Sequence, residues 1–311
     1  MRVLITCPPM LGMKEEFEAE LKGLGIEPYC PDVIQTLSEE ELIDLLPQFD
    51  GWIIGDDPAS RRVFEAGRRG ALKAAVKWGI GVDNVDIAAC KDMGIKFANT
   101  PQMFGAEVAD VALGYVIGLA RQTFAIDRGV REGKWPKNRG ISLDDKTVGL
   151  IGYGSIGQAA ATRLSACGMN VIAYDPGLSA NQAENESVQF SDWPSSIGEC
   201  DFLVFTCSLN DQNRHMLNDT TLGLCKKGVR IVNVARGPLI DEVALLRGLE
   251  SGKVHSAALD VFEIEPLPPE SPIRDYPLCI LGSHNGSNTE EGVRRASKKA
   301  MTFMADFLGI A

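Results

Sequence analysis

Residues 148–175 read VGLIGYGSIGQAAATRLSACGMNVIAYD. The apolar run from Thr147 to Ile151 is patterned as a buried strand, and it ends in Gly152-x-Gly154-x-x-Gly157. Helical spacing follows from Ser155 to Cys167. A second apolar run, Asn170 to Tyr174, closes on Asp175, 18 residues beyond Gly157. Each residue type has a physical reason to be where it is. Gly152 permits a tight turn, Gly154 lets a pyrophosphate approach the backbone, and Gly157 lets the helix pack on the strand. The amides of Ser155, Ile156 and Gly157 open that helix, and its N-terminus favours phosphate charge. Asp175 is placed to accept hydrogen bonds from the ribose hydroxyls of an adenosine, and no Arg follows it to hold a 2′-phosphate. The stretch therefore predicts a strand–turn–helix–strand unit that binds NAD rather than NADP.

Outward from this unit, strand-like and helix-like segments alternate. On the N-terminal side RVLITC, IEPYC, GWIIG, LKAAVKW and IKFAN read as strands. Lys14–Leu24, Glu39–Leu46, Ser60–Gly67 and Val85–Met93 read as the helices between them. A long apolar helix, Ala106 to Gln122, follows Thr100-Pro101. Beyond the glycine loop, 170–175, 202–206, 229–234, 255–260 and 279–282 read as further strands. Such alternation predicts parallel sheets covered on both faces. At 311 residues the chain suits two α/β domains, each a doubly wound parallel sheet. The expected division is 1–100, completed by 285–311, and 101–284. A last helix, from about Glu290 to Leu308, carries Val293, Ala296, Ala300, Met304 and Phe307 as one stripe. Ser287-x-x-Glu290 would supply its capping box.

Composition narrows the function. A net charge of −11 argues against a nucleic-acid partner, which needs a basic face. It also means that an anionic substrate must be held by local positive groups. The eight cysteines show neither a C-x-x-C pair nor clustered spacing, as expected of free thiols in a reducing cytoplasm. No signal peptide, membrane span or metal-ligand pattern is read.

Three histidines enumerate the neutral-pH acids and bases. His215, in QNRHMLND, reads as a surface or packing residue, and His255, in a strand, as a structural one. His284 follows the strand CILGS, at the strand end where open α/β sheets bind ligands. A histidine used as acid and base benefits from a carboxylate partner. Asp260, Glu263 and Glu265 in ALDVFEIEP are the candidates. Arg236, in NVARGPLID, has the planar fork that matches a carboxylate.

The segment VNVARGPLIDEVALLRGLESGKVHSAALDVFEIEP, with KWGIGVDNVD, NTP and GLIGYGSIG in order, resembles the D-2-hydroxyacid dehydrogenases. CKKGVRIVNVARG is similar in particular to the phosphoglycerate dehydrogenases. The resemblance implies a flavodoxin-like substrate domain beside a Rossmann NAD-binding domain. It implies that Arg236 binds substrate, Glu265 is the carboxylate partner, and His284 is the proton donor and acceptor. It further implies that Asp260 contacts the nicotinamide carboxamide and that the Ile80 and Gly81 amides receive the substrate carboxylate. The expected partner is a small anionic 2-keto or 2-hydroxy acid, with 3-phosphoglycerate/3-phosphohydroxypyruvate first and glyoxylate, hydroxypyruvate or another 2-keto acid as the alternative. Lys77 would meet the phosphate, and Trp78 would narrow the pocket. A homodimer is implied, through Ala106–Gln122 and the loop holding Trp135, and so is the absence of a regulatory domain. Gly282-Ser283 before His284, and Asn285 after it, depart from the family's usual Thr-Pro and aliphatic residue. Two rivals remain: an NAD-sensing binding protein on the same fold, and formate dehydrogenase. The second pairs its histidine with glutamine, so Glu265 counts against it.

Overall fold

The computed structural model describes residues 1–178 and 188–310. The chain divides into two compact units: residues 1–103 with the segment from Asn288 onward, and Phe104–Ser287.

In the first unit the elements are β1 (Arg2–Ile5), α1 (Pro8–Leu11), α2 (Lys14–Gly23), β2 (Glu27–Tyr29), α3 (Glu39–Leu45), β3 (Gly51–Ile54), α4 (Arg61–Arg69), β4 (Ala74–Lys77), α5 (Ile87–Asp92) and β5 (Lys96–Asn99). Among the described residues the sheet is five-stranded and parallel, in the order β2-β1-β3-β4-β5. This is the flavodoxin-like winding. β3 and β4 are buried on both faces, which is why GWII and AAVK lack polar alternation. Leu4, Trp52, Ile54, Val63, Phe64 and Leu72 form one core on this sheet. Each such side chain contributes about 1.5–3 kcal/mol of burial. The last helix, Glu290–Leu308, packs against β3, β4 and β5 with Val293, Ala296, Ala300 and Met304 buried. A Cβ at Gly51 would lie 2.4 Å from the Met304 sulfur, so glycine there sets how closely the helix sits. The helix is capped by Thr289, whose hydroxyl accepts the Gly292 amide at 3.0 Å; the capping box expected of Ser287 is not used.

The second unit contains α6 (Gly105–Arg121), α7 (Thr123–Arg131), β6 (Thr147–Ile151), α8 (Ser155–Ala166), β7 (Asn170–Tyr174), β8 (Val188–Phe190), β9 (Phe202–Phe205), α9 (Asp219–Leu224), β10 (Val229–Asn233), α10 (Glu242–Glu250), β11 (Val254–Leu259) and β12 (Ile280–Leu281). Among the described residues its seven parallel strands run β12-β11-β10-β9-β6-β7-β8. The order reverses between β6 and β9, and this switch point brings the β6 loop beside the β9 loop. β8, an edge strand of three residues, was not anticipated from the sequence. Helix α6 buries Val108, Ala109, Ala112, Val116, Leu119 and Ala120 and packs on α8. Its apolar face is thus largely used inside this unit. No helix among the described residues is long and apolar enough to cross a membrane.

Candidate active site

The loop from β6 to α8 is shaped by clashes that only glycine avoids. Gly152 has φ +97°, and a Cβ there would lie 2.6 Å from the Cys207 backbone. A Cβ on Gly157 would lie 2.2 Å from the Gly152 carbonyl oxygen, whereas Gly154 faces open space. Thr206 closes the turn from beneath, donating to the Gly152 carbonyl at 2.8 Å. The neighbouring Cys207 thiol is pushed up to about 12 by burial, with Asp175 adding to the effect, so it stays neutral under the loop. Gly154 provides no side-chain cap for α8, so the amides of Ser155, Ile156 and Gly157 form its electropositive start. Asp175, directly after β7, accepts the Tyr153 amide at 2.7 Å and the Gly177 amide at 2.9 Å. Its carboxylate is therefore drawn against the glycine loop.

Three more turns converge at the C-terminal ends of β10, β11 and β12. After β10, Asn233 accepts the Ala235 amide at 3.0 Å and donates to the Arg236 carbonyl at 2.8 Å, fixing the turn that presents Arg236. Gly237 then lies flat on the next loop, since a Cβ there would fall 1.9 Å from the Phe262 carbonyl carbon. In that loop Glu265 accepts the Phe262 amide through Oε1 at 2.9 Å. Its Oε2 meets His284 Nδ1 at 2.7 Å, with each side chain one-fifth exposed. His284 itself has φ +54°, a conformation uncommon for a non-glycine residue.

Asp260 holds that conformation. Its carbonyl accepts the His284 amide at 2.6 Å. Its carboxylate accepts the amides of Asn285 at 3.2 Å and Gly286 at 2.8 Å, and the Tyr115 hydroxyl at 3.5 Å. Burial, and then the Asp260 charge, push the Tyr115 phenol up, so it remains a donor. Asp260 is only 3% exposed. Its oxygens frame the His284 turn. Tyr115 carried no signal in the sequence beyond its place on an apolar helix. Gly282 is explained by the same cluster, because a Cβ there would lie 2.4 Å from Asp260 Oδ1 and 2.5 Å from the Tyr115 oxygen.

In the first unit, the turn after β4 holds Ile80 and Gly81, both half-buried. It is pinned by the Gly79 amide on the Thr100 hydroxyl at 2.8 Å. Lys77 is 2% exposed, and its ammonium donates to the Gly55 carbonyl and to Asp56 at 2.9 Å. Trp78 is likewise buried, with its indole donating to Ser297 at 3.1 Å, so it packs the last helix instead of narrowing a pocket.

Residues 113–286 match the family described as D-isomer specific 2-hydroxyacid dehydrogenase, NAD binding domain. A hydroxypyruvate reductase from Thermotoga maritima is 37% identical over 283 residues, which cover 89% of this chain and 90% of that protein. The chain belongs to the D-2-hydroxyacid dehydrogenases. The chloroplastic D-3-phosphoglycerate dehydrogenase 3 of Arabidopsis thaliana is 38% identical over 84% of this chain, which spans only 45% of that protein's length. A glyoxylate reductase structure from Paecilomyes thermophila superposes with a TM-score of 0.83 at 28% identity, covering 99% of this chain and 95% of that one.

As a D-2-hydroxyacid dehydrogenase the chain is an NAD-dependent oxidoreductase. The glycine loop fits that cofactor: open space at Gly154, an uncapped helix start and a carboxylate drawn to the same loop. Among the described residues no cluster of His, Cys, Asp and Glu is placed to hold a metal. The other two histidines are accounted for differently. His255, on β11, meets Ser256 at 3.0 Å, and burial lowers its pKa, with Arg230 adding to the effect. His215 is paired with Glu263, a contact the sequence did not suggest.

Proposed function

We propose that this dehydrogenase reduces a short 2-keto acid to its D-2-hydroxy acid, with hydroxypyruvate as the first substrate. The observation that carries the reaction is the His284–Glu265 pair at 2.7 Å, beside the turn of Arg236. Glu265 on Nδ1 fixes the imidazole so that Nε2 carries the mobile proton, and its charge favours the imidazolium. In reduction His284 gives that proton to the keto oxygen; in oxidation the neutral ring takes the hydroxyl proton. Arg236 binds the substrate carboxylate through its planar fork. Gly152, Gly154, Gly157 and the amides of Ser155 and Ile156 would hold the pyrophosphate of the dinucleotide and Asp175 its ribose, and the nicotinamide, when bound, would supply or take up the hydride.

Two observations support an unphosphorylated acid. Lys77, read as the phosphate contact, is buried on Asp56. The relative matched over 90% of its own length is named a hydroxypyruvate reductase. Phosphohydroxypyruvate is the second reading, favoured by the relatives named as phosphoglycerate dehydrogenases; on that reading the enzyme serves serine synthesis. NADH oxidation with hydroxypyruvate, glyoxylate, phosphohydroxypyruvate and pyruvate in parallel separates the two. Preference for hydroxypyruvate or glyoxylate is expected, and preference for the phosphorylated acid would reverse the order.

We also infer a homodimer. Helix α7 has no buried residue, and Phe124, Val130 and the 76%-exposed Trp135 leave apolar surface in and beside it. Trp135→Glu should shift sedimentation from dimer to monomer; an unchanged wild-type monomer would exclude the assembly.

A further inference from the structure

The loop after β11 is held by two carboxylates on successive amides. The Phe262 amide donates to Glu265 at 2.9 Å, and the Glu263 amide donates to Glu242, the first residue of α10, at 2.7 Å. From each of these adjacent residues a path leads to a histidine. Glu265 meets His284, and the Glu263 side chain meets His215 Nε2. The third constraint is steric, since Gly237 leaves no room for a Cβ between the Arg236 turn and the Phe262–Glu263 peptide. One peptide is therefore the meeting point of the loops after β9, β10 and β11.

His215 is itself anchored. Its amide donates to the Pro238 carbonyl at 2.7 Å, its carbonyl accepts from Asn218 at 2.9 Å, and its φ is +53°. A non-glycine residue held in that region needs surroundings that determine it. The His215 ring meets Glu263 from the β11 loop, whose amide is held by Glu242 at the start of α10, and Arg214 precedes it on its own loop. Asp241 caps α10 through the Val243 and Ala244 amides. Around His284 stand Glu265, the Asp260 carboxylate beneath its turn and Arg236 on the neighbouring turn.

We propose that His215 and Glu263 form a second histidine–carboxylate pair that positions the Phe262–Glu263 peptide, and through it keeps Glu265 on His284. This rests on the reading of His284 as the proton carrier. Neither His215 nor Glu263 is a catalytic residue in this account; both act through Glu265. A hydrogen bond from His215 to Glu263 is the operative contact, so glutamine, which reaches with an amide where histidine reaches with Nε2, should replace it.

The chain has only three histidines, so ring-labelled spectra resolve the His284 titration directly and need no substrate. The proteins compared are wild type, Glu265→Gln, His215→Ala and His215→Gln. The two His215 variants carry the same charge, so a difference between them reports the reach of the side chain to Glu263 and not its charge. Glu265→Gln should lower the His284 midpoint, and His215→Ala should leave it lower than His215→Gln by about half a pH unit, a partial loss of the Glu265 partner. Equal midpoints in the two His215 variants would overturn the positioning role while leaving the His284–Glu265 pair intact. An unmoved midpoint in Glu265→Gln would overturn both. Melting of each variant identifies any that fails to fold, and Glu263→Ala, which removes the same bond from the other side, then takes the place of His215→Ala against Glu263→Gln.

Discussion

The carbonyl of Asp260 accepts the amide of His284 at 2.6 Å, while the Asp260 carboxylate takes the next two amides of the same turn. A backbone held at φ +54° by one buried residue makes that residue's side chain as important as the histidine it serves. Asp260→Asn turns an amide donor toward backbone donors, leaving buried groups unsatisfied at about 1–3 kcal/mol. Melting should fall accordingly, and kcat should drop by at least about tenfold. Unchanged kcat with an unchanged melting curve would remove the framing role.

Gly282→Ala addresses the same cluster from the outside. The added methyl would stand 2.4 Å from Asp260 Oδ1 and 2.5 Å from the Tyr115 oxygen. The cost expected from overpacking is about 1–3 kcal/mol, measurable by urea unfolding. Tyr115→Phe combined with it should relieve part of that loss, because one of the two clashing atoms is then absent.

Lys77→Met should separate packing from substrate recognition. The buried ammonium leaves with its Asp56 partner a third exposed, so the loss should be about 1–3 kcal/mol, below that of a fully buried pair. The ratio of kcat/KM between phosphohydroxypyruvate and hydroxypyruvate should stay unchanged. A selective fall for the phosphorylated acid would restore Lys77 as a phosphate contact.

Glu242 gives a pH-dependent test of the loop cluster. Burial raises its carboxyl pKa, the Glu263 amide opposes this, and the Glu263 and Glu265 charges raise it further. A carboxyl raised in the fold binds its proton more tightly there than in the unfolded chain. Stability therefore declines as pH climbs from the ordinary glutamate range through the raised value. Glu242→Gln should melt like wild type at about pH 4 and higher than wild type at about pH 8. A gain that is the same at both pH values would contradict the cause assigned.

Asp175→Ala should weaken NADH by about tenfold, the loss of roughly one charge-assisted hydrogen bond. NADPH should weaken less, because the lost carboxylate also repelled a 2′-phosphate. A fluorescence titration showing an unchanged NADH/NADPH ratio would remove the ribose role.

The glycine loop was legible because the turn at Gly152, the open backbone at Gly154 and the clash of Gly157 with the Gly152 carbonyl recur at fixed sequence spacing; the Cys207 backbone against Gly152 was not, since the β9 loop supplies it. His284 and Glu265 were legible because both follow apolar runs that read as strands, and their pairing needs only adjacent strand ends. The burial of Lys77 was not legible, because its place as a phosphate contact came from the family resemblance alone; β4 is buried on both faces, and Asp56 supplies the partner. The local motif of Asp260 could not show that the His284 turn folds back over it. His215 and Glu263 lie 48 residues apart on different loops, a pairing that only the β9–β10–β11 order creates. Thr289 replaced Ser287 as the cap because the helix begins at Glu290 with Thr289 already extended.

The most direct test of the central claim is to measure turnover and NADH affinity together in His284→Ala, with the best keto acid of the panel. Loss of a positioned acid should lower kcat by about 10²–10⁴-fold, while the NADH dissociation constant stays within about twofold of wild type. Retained turnover would show that another group moves the proton, and lost NADH affinity would place His284 in the cofactor site instead.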